Sequence, residues 1–391
     1  MMLDEKTRLS ISPGEGLGLF NTRMAKGPVK TLPAGSTIVS ADNHFPLVED
    51  IFYDRFPDHL KHLAPRIWYD EEARLWHIGA NFQSLYPPAF YDLIRSMEDR
   101  PGCENMAERM KDLDAEGVDQ EIAFPQVLAV YFGSPEFEMR EHLFAIYNEY
   151  VADVQKQYPT RFFPVGVPNF WDPAKAPDSI RRIAELGLKS VLLPMSPGKR
   201  PDGQNVVYNS EDYDAMFAAI EEVGVPICFH IGEKFAGNDG INGDGARVLH
   251  DLGPTMFRKN FGQLVFGLIF DKFPGLKVVF AEAGINWVPG TLQDAEMIYN
   301  SHAQLYDSLP KHRPSWYWHN HCYATFMADT AGLKLLDIIG ADRVMWSVDY
   351  PHNEGSFGYS QDIAAELIDT LPTDQAAMIL GGTAREVFKL P

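Results

Sequence analysis

Short runs of apolar and β-branched residues recur along this chain, separated by longer stretches with helical spacing, and this alternation constrains the fold more than any other feature. The runs fall at residues 36–41, 120–124, 162–167, 190–193, 226–229, 277–281, 323–326 and 343–348. Between them, residues 140–158, 174–186, 212–223, 287–308 and 332–339 carry the helical pattern. Asp172-Pro173 opens one of these stretches, and Ser210-Glu211-Asp212 opens another with acidic residues where the helix dipole favours them. Strands alternating with helices imply parallel pairing. Eight strands imply an α/β fold closed as a (β/α)8 or TIM barrel, with an open doubly wound sheet as the alternative.

Two departures from minimal barrel spacing organise the rest. Residues 46–110 form an insertion after the first strand, rich in aromatic residues (Trp68, Trp76, Phe82, Tyr86, Tyr91) and expected to cap the active-site end. Residues 232–245 read as a Gly-rich loop at that end, where barrels place function. Residues 1–35 lack periodicity and read as an N-terminal arm, leaving residues 36–391 as one decorated barrel.

Charge removes some classes of partner. With 34 basic against 54 acidic residues the formal charge is -20, which repels a nucleic-acid backbone but leaves room for a local cation. No apolar run approaches the ~20 residues of a membrane span, so a membrane is not expected either. Cys103, Cys228 and Cys322 have no metal-knuckle spacing and form an odd set, which fits a reducing cytoplasm.

Barrel strands deliver polar residues at their C-terminal ends to one face. Asp42 and His44 follow the first run two positions apart, and strand alternation puts them on one side. His230 ends the fifth run and Asp349 the eighth. Two imidazoles and two carboxylates make a mixed nitrogen and oxygen set for one divalent cation, Zn2+ first and Mn2+ second. Taken singly, each has a bland reading, since Asp caps turns and a strand-end His is commonly a hydrogen-bonded core residue. The group Trp316, Trp318, His319 and His321 reads as a pocket wall, as ordinary packing or as an oligomer contact.

The combination of Ser40-Ala41-Asp42-Asn43-His44, Gly117-Val118-Asp119, Phe229-His230-Ile231-Gly232, residues 282–289 and Trp346-Ser347-Val348-Asp349-Tyr350-Pro351-His352 resembles the amidohydrolase-related family over residues 37–390. This branch includes aminocarboxymuconate semialdehyde decarboxylase and resorcylate-type decarboxylases. The resemblance implies metal ligands at Asp42, His44 and His230, and at Asp349 a ligand, a proton carrier, or both. The family commonly presents a His on the sixth strand, whereas this chain has Glu282, which could bind metal, act as acid or base, or only support the rim. His352 stands where it could touch substrate, so Asp349, Glu282 and His352 are the catalytic candidates.

The first expectation is a hydrolase that directs a metal-activated water at a small carboxylated or aromatic substrate. A metal-dependent non-oxidative decarboxylase of an aromatic or ring-cleavage acid is the alternative, and a non-catalytic ligand-binding barrel is the third reading. The family's habits imply a homodimer or homotetramer, with residues 287–308 as one possible subunit surface.

Overall fold

The computed structural model describes residues 32–233, 255–306 and 308–391, and ten strands lie among them. They are β1 (Val39–Phe45), β2 (Pro65–Asp70), β3 (Leu75–Ala80), β4 (Gln120–Pro125), β5 (Phe162–Pro164), β6 (Val191–Leu192), β7 (Ile227–His230), β8 (Val278–Ala281), β9 (Cys322–Phe326) and β10 (Val344–Trp346). Eight of them, all but β2 and β3, coincide with the eight runs read from the sequence. They pair in parallel as β1-β4-β5 and β6-β7-β8-β9-β10. Backbone bonds join the two arcs at both seams. Leu192 N donates to Gly166 O at 2.8 Å beside β5, while Asp349 N donates to Asp42 O (2.8 Å) and His44 N to Tyr350 O (2.6 Å) beside β10. The barrel is closed, and the doubly wound alternative falls.

Helix ends set the phase of each strand. Asn105 caps the helix Met106–Glu116 by accepting from Glu108 N, and Gly117 ends it with φ of 73°, three residues before β4. Gly224 does the same work at φ 66° between the helix Asp214–Val223 and β7. The helix Phe137–Gln157 buries Met139, Leu143, Tyr147 and Val151, spaced four apart, against the barrel wall. All eight barrel strands are buried throughout their length, as parallel strands covered by helices must be.

Three local expectations change. β1 runs on to Phe45, so Asp42 and His44 are strand residues rather than residues beyond its end. The stretch 287–308 ends as a helix at Ser301, and 332–339 breaks into the short helices Thr330–Leu333 and Leu336–Ile339. The helix Pro314–His321 leads into the start of β9, the end opposite the candidate site, where Trp318 Nε1 donates to Ile339 O and His321 Nδ1 lies 2.9 Å from Leu276 O. Trp318 and His321 are packing rather than a wall of the candidate site, while Trp316 lies on the surface.

The insertion contains the antiparallel hairpin β2–β3 and the helix Tyr91–Glu98. It is tied to the segment after β10: Asn353 Nδ2 donates to Ser96 Oγ (2.6 Å) and Arg100 reaches Asn353 Oδ1 (3.4 Å). It therefore covers the C-terminal rim of the barrel. Its rings mostly stack on one another, with Trp68 lying 5.2 Å from His77 and 5.3 Å from Phe82 between centroids. No helix among the described residues is long and apolar enough to cross a membrane. Of the expected arm and Gly-rich loop, residues 1–31 and 234–245 lie outside the described residues.

Candidate metal centre

The six candidate residues converge at one end of the barrel. Asp42 and His44 come from β1, His230 from the last position of β7, Glu282 from the residue after β8, and Asp349 and His352 from the segment after β10. His44 Nε2 lies 3.4 Å from Asp349 Oδ1 and 3.9 Å from both Asp42 Oδ1 and Glu282 Oε2. His230 Nε2 lies 3.3 Å from Asp42 Oδ1 and 3.5 Å from Glu282 Oε2. His352 Nδ1 meets Asp349 Oδ1 at 3.0 Å, and its ring stacks on that of His44 with centroids 3.9 Å apart. Glu282 thus joins the cluster.

Two sets of ligand atoms fall within 4.8 Å of one another: His44, Glu282, Asp349 and His352, and Asp42, His44 and His230. His230 Nδ1 sits 2.7 Å from Ile231 O, so Nδ1–H donates to that carbonyl and Nε2 faces the cluster with its lone pair. Among the described residues, neither ring nitrogen of His44 and neither carboxylate oxygen of Asp349 has a well-directed hydrogen bond, though all four atoms are buried. Orphaned buried donors and acceptors are rare in folded proteins. Converging here from imidazoles and carboxylates, they fit a divalent cation.

Electrostatics favour the same conclusion. Burial drives Glu282 well above the usual carboxylate range, and the negative charges of Asp349, Glu354 and Asp42 push it further. Burial also raises Asp349 to about 7 despite the opposing pull of His352. Burial lowers His44, with His352 and His230 adding repulsion. In His230 and His352 burial is outweighed by Asp42 and Asp349 respectively, and His352 rises to about 9. Carboxylates crowded out of water need compensating positive charge, which a bound cation supplies.

The local backbone is bent to aim these groups. Glu282 and Asp349 adopt φ of 53° and 59°, in the left-handed region that costs a non-glycine residue ~1–3 kcal/mol and concentrates at functional sites. Asp329 anchors the turn after Glu282, its Oδ2 accepting from the backbone N–H of Ile285 and Asn286. Around Asp349 the chain folds so closely that a Cβ on Gly355 would sit 2.7 Å from the Asp349 carbonyl oxygen. The Tyr350-Pro351 peptide is cis.

Supporting residues escaped the sequence reading. Thr325 of β9 accepts from Glu282 N (2.7 Å) and donates to Asp42 Oδ2 (3.2 Å), so one hydroxyl orients two cluster members. Asn43 faces away from the cluster: its Nδ2 donates to Glu121 Oε2 (2.6 Å), and its Oδ1 accepts from Tyr350 N (3.0 Å). Arg109 completes this layer by donating to both oxygens of Glu121 at 2.7 Å. Gln126, just past β4, meets His352 Nε2 at 3.0 Å. A search for polar residues inside apolar strands would have found Thr325 and Glu121; spacing alone carries no mark of the others.

The comparisons with known proteins agree with this architecture. The chain is 25% identical over 343 residues to the 2-amino-3-carboxymuconate-6-semialdehyde decarboxylase of Dictyostelium discoideum, covering 84% of this chain and 90% of the relative. An amidohydrolase from Mycobacterium avium subsp. paratuberculosis K-10 shares the fold with a TM-score of 0.73 at 16% identity, over 90% of this chain and 98% of its own. A 5-carboxyvanillate decarboxylase from Novosphingobium aromaticivorans DSM 12444, solved with manganese and 4-hydroxy-3-methoxy-5-nitrobenzoic acid, aligns with a TM-score of 0.66 at 19% identity, over 95% of this chain and 100% of its own. The amidohydrolase family profile matches residues 41–390, a span holding every cluster residue, and the chain belongs to the amidohydrolase family.

Proposed function

We propose that this protein is a metal-dependent non-oxidative decarboxylase of a small carboxylated aromatic or ring-cleavage acid. The observation that carries the reading is the buried convergence of Asp42, His44, His230, Glu282 and Asp349 with His352 paired to Asp349. The named relatives favour carbon–carbon cleavage over hydrolysis, which stood first on the sequence alone. A divalent cation held by Asp42, His44, His230 and Asp349 would act as a Lewis acid and as an anchor for the substrate carboxylate. Manganese in the carboxyvanillate decarboxylase supports Mn2+ beside the Zn2+ expected from the donor types.

The residues of the chain divide the remaining work. Asp349 and His352 hold a proton between them at the 3.0 Å contact of Oδ1 and Nδ1. Loss of CO2 breaks the bond between the carboxyl carbon and the ring or diene carbon and leaves the electron pair on the latter. The Asp349–His352 pair delivers its proton to that carbon, and the next proton comes from solvent, so charge and atoms balance. Glu282, whose Oε2 lies 3.5 Å from His230 Nε2 and 3.9 Å from His44 Nε2, stands beside the position of the reacting carboxylate and orients the substrate there. The insertion is tied over the rim through Asn353, and excluding water there would strengthen each of these interactions.

The test uses metal-loaded protein with carboxyl-13C benzoic acids bearing one or two hydroxyls, in D2O. Release of 13CO2, with deuterium at the vacated ring position, is expected. Cleavage of aryl esters or amides without CO2 from any acid would move the assignment to a hydrolase.

Two broader features belong to the same proposal. The three cysteines are buried and free, which supports a cytoplasmic setting. Met297, Leu305, Trp316 and Ile338 expose apolar surface on neighbouring helices, and we place a contact between identical subunits there. Sedimentation well above the 44.0 kDa of one chain is the expected result, and Met297→Glu with Ile338→Glu should return it to that mass.

A further inference from the structure

The insertion carries a second arrangement of reactive side chains, outside the metal cluster. In the hairpin β2–β3, Asp70 pairs with Leu75 and Trp68 with His77, so strand alternation sets Asp70 and His77 on one face. The chain after β3 then folds back on the hairpin. Leu85 N donates to Ile78 O (2.9 Å), and a Cβ on Gly79 would collide with the Gln83 carbonyl. The turn runs through Asn81 and Phe82 at φ of 52° and 59°, two successive non-glycine residues in the left-handed region, where strain concentrates at functional sites. It delivers Ser84 to His77.

Ser84 Oγ lies 2.6 Å from His77 Nδ1, and Asp70 Oδ2 lies 3.8 Å from Nε2 on the other edge of the ring. The carboxylate favours the tautomer with its proton on Nε2, which leaves the Nδ1 lone pair to accept the Ser84 O–H. Burial lowers His77 below the usual histidine value against the opposing pull of Asp70, so the ring is free to take a proton. Its position is fixed. Trp68 stacks on it at 5.2 Å and Tyr91 meets it edge-on at 5.3 Å between centroids. Asp70 Oδ1 accepts from Glu72 N and Ala73 N, both at 2.9 Å, which leaves Oδ2 to face the imidazole. Ser84 is half-buried, and Phe82 and Leu85 on either side of it are exposed. Among the described residues the backbone N–H of Ser84 has no acceptor.

A hydroxyl within hydrogen-bond reach of an imidazole, with a third group orienting that imidazole, is the arrangement that activates serine for acyl transfer. We propose that Ser84, His77 and Asp70 form an esterase site separate from the metal cluster, acting on esters of small uncharged acids. Phe82 and Leu85 offer the acyl group an apolar surface, and the Asp70 carboxylate repels an anionic one. Ser84 Oγ bonds to the acyl carbon while its proton passes to His77 Nδ1, and the free Ser84 N–H donates to the oxygen that becomes negative. The bond to the leaving alcohol then breaks, and its oxygen takes the proton from Nδ1. Water repeats the sequence on the acyl-serine, giving its proton through His77 to Ser84 Oγ as the acid departs. Asp70 offsets the charge on the imidazolium between these transfers. None of this depends on the decarboxylase reading.

The test uses full-length metal-loaded protein, with p-nitrophenyl butyrate as substrate and an alkyl fluorophosphonate as covalent probe. Release of p-nitrophenol and a phosphonyl adduct on Ser84, located by peptide mass spectrometry, are expected. Ser84→Ala should remove that adduct and bring hydrolysis down to the rate of the denatured chain. His77→Gln should slow labelling and hydrolysis by about 10²–10⁴-fold, the usual worth of a general base. Asp70→Asn keeps Oδ1 for the turn and should slow both by less. Where His77→Gln does not fold, Ser84→Ala and Asp70→Asn decide. No adduct at Ser84, or labelling at the parent rate in both Asp70→Asn and folded His77→Gln, overturns the inference. Hydrolysis that survives Ser84→Ala belongs to the metal cluster and overturns it too.

Discussion

His230→Ala reduces the divalent metal bound by the purified protein from about one ion per chain to a small fraction of that, and Asp349→Ala does the same. His230 is fixed by the Ile231 carbonyl so that Nε2 points at Asp42 and Glu282. Asp349 brings two oxygens without well-directed hydrogen bonds and stands 3.4 Å from His44 Nε2. With several kcal/mol of charge stabilisation removed, turnover should fall by roughly 10³-fold. Thr325→Val is the graded companion. It keeps all ligands but frees Asp42 Oδ2 and the backbone N–H of Glu282, and losing such a supporting contact weakens metal binding ~10–100-fold. Elemental analysis of the three variants beside the parent checks the series. Full occupancy in both His230→Ala and Asp349→Ala would show that the ion sits elsewhere and would detach the chemistry from this cluster.

The barrel was legible because its signal is local. Each strand run is read from its own few residues, five intervening stretches carry helical spacing, and the observed strands fall within a few residues of all eight runs. Asp42, His44, His230, Asp349 and His352 were legible for a related reason: in this architecture the positions at strand ends share one face, so chain position stands in for proximity, whereas Glu282 was singled out through the family resemblance. The layer behind them was not legible. Thr325 meets Asp42 across 283 positions, Asn43 meets Glu121 across 78, and Gln126 meets His352 across 226. No periodicity links such pairs; only the order in which strands close into a ring does. The insertion was legible as a cap from its composition, but not the partners of its rings: Trp68 stacks on His77 and His77 packs against Tyr91, while Phe82 stays 54% exposed.

Glu121→Ala is expected to destabilise the fold by about 3–5 kcal/mol, because it strands a buried guanidinium rather than merely deleting a bond. Arg109 and Glu121 are both fully buried, and their pairing is bidentate. Glu121 Oε2 also holds Asn43, which in turn receives Tyr350 N, so this ion pair sits behind β1 and the segment that carries Asp349. For a chain of 391 residues the unfolding entropy is large, and the loss corresponds to a drop of roughly 4–6 °C in melting temperature. Arg109→Met with Glu121→Met removes both charges together and should recover most of the stability, since an apolar pair can replace a buried ion pair at little net cost. Metal affinity should not recover in the same way. Without Glu121 the Asn43 amide loses its partner, leaving the Asp349–Asp42 and His44–Tyr350 backbone bonds to hold β1 against the segment after β10 without side-chain support from the buried layer. Thermal unfolding and metal titration on the same variants separate the two roles. A double variant that regains both stability and metal binding would reduce the ion pair to ordinary core packing, whereas stability without metal binding would identify it as the element that holds the two ligand-bearing segments in place.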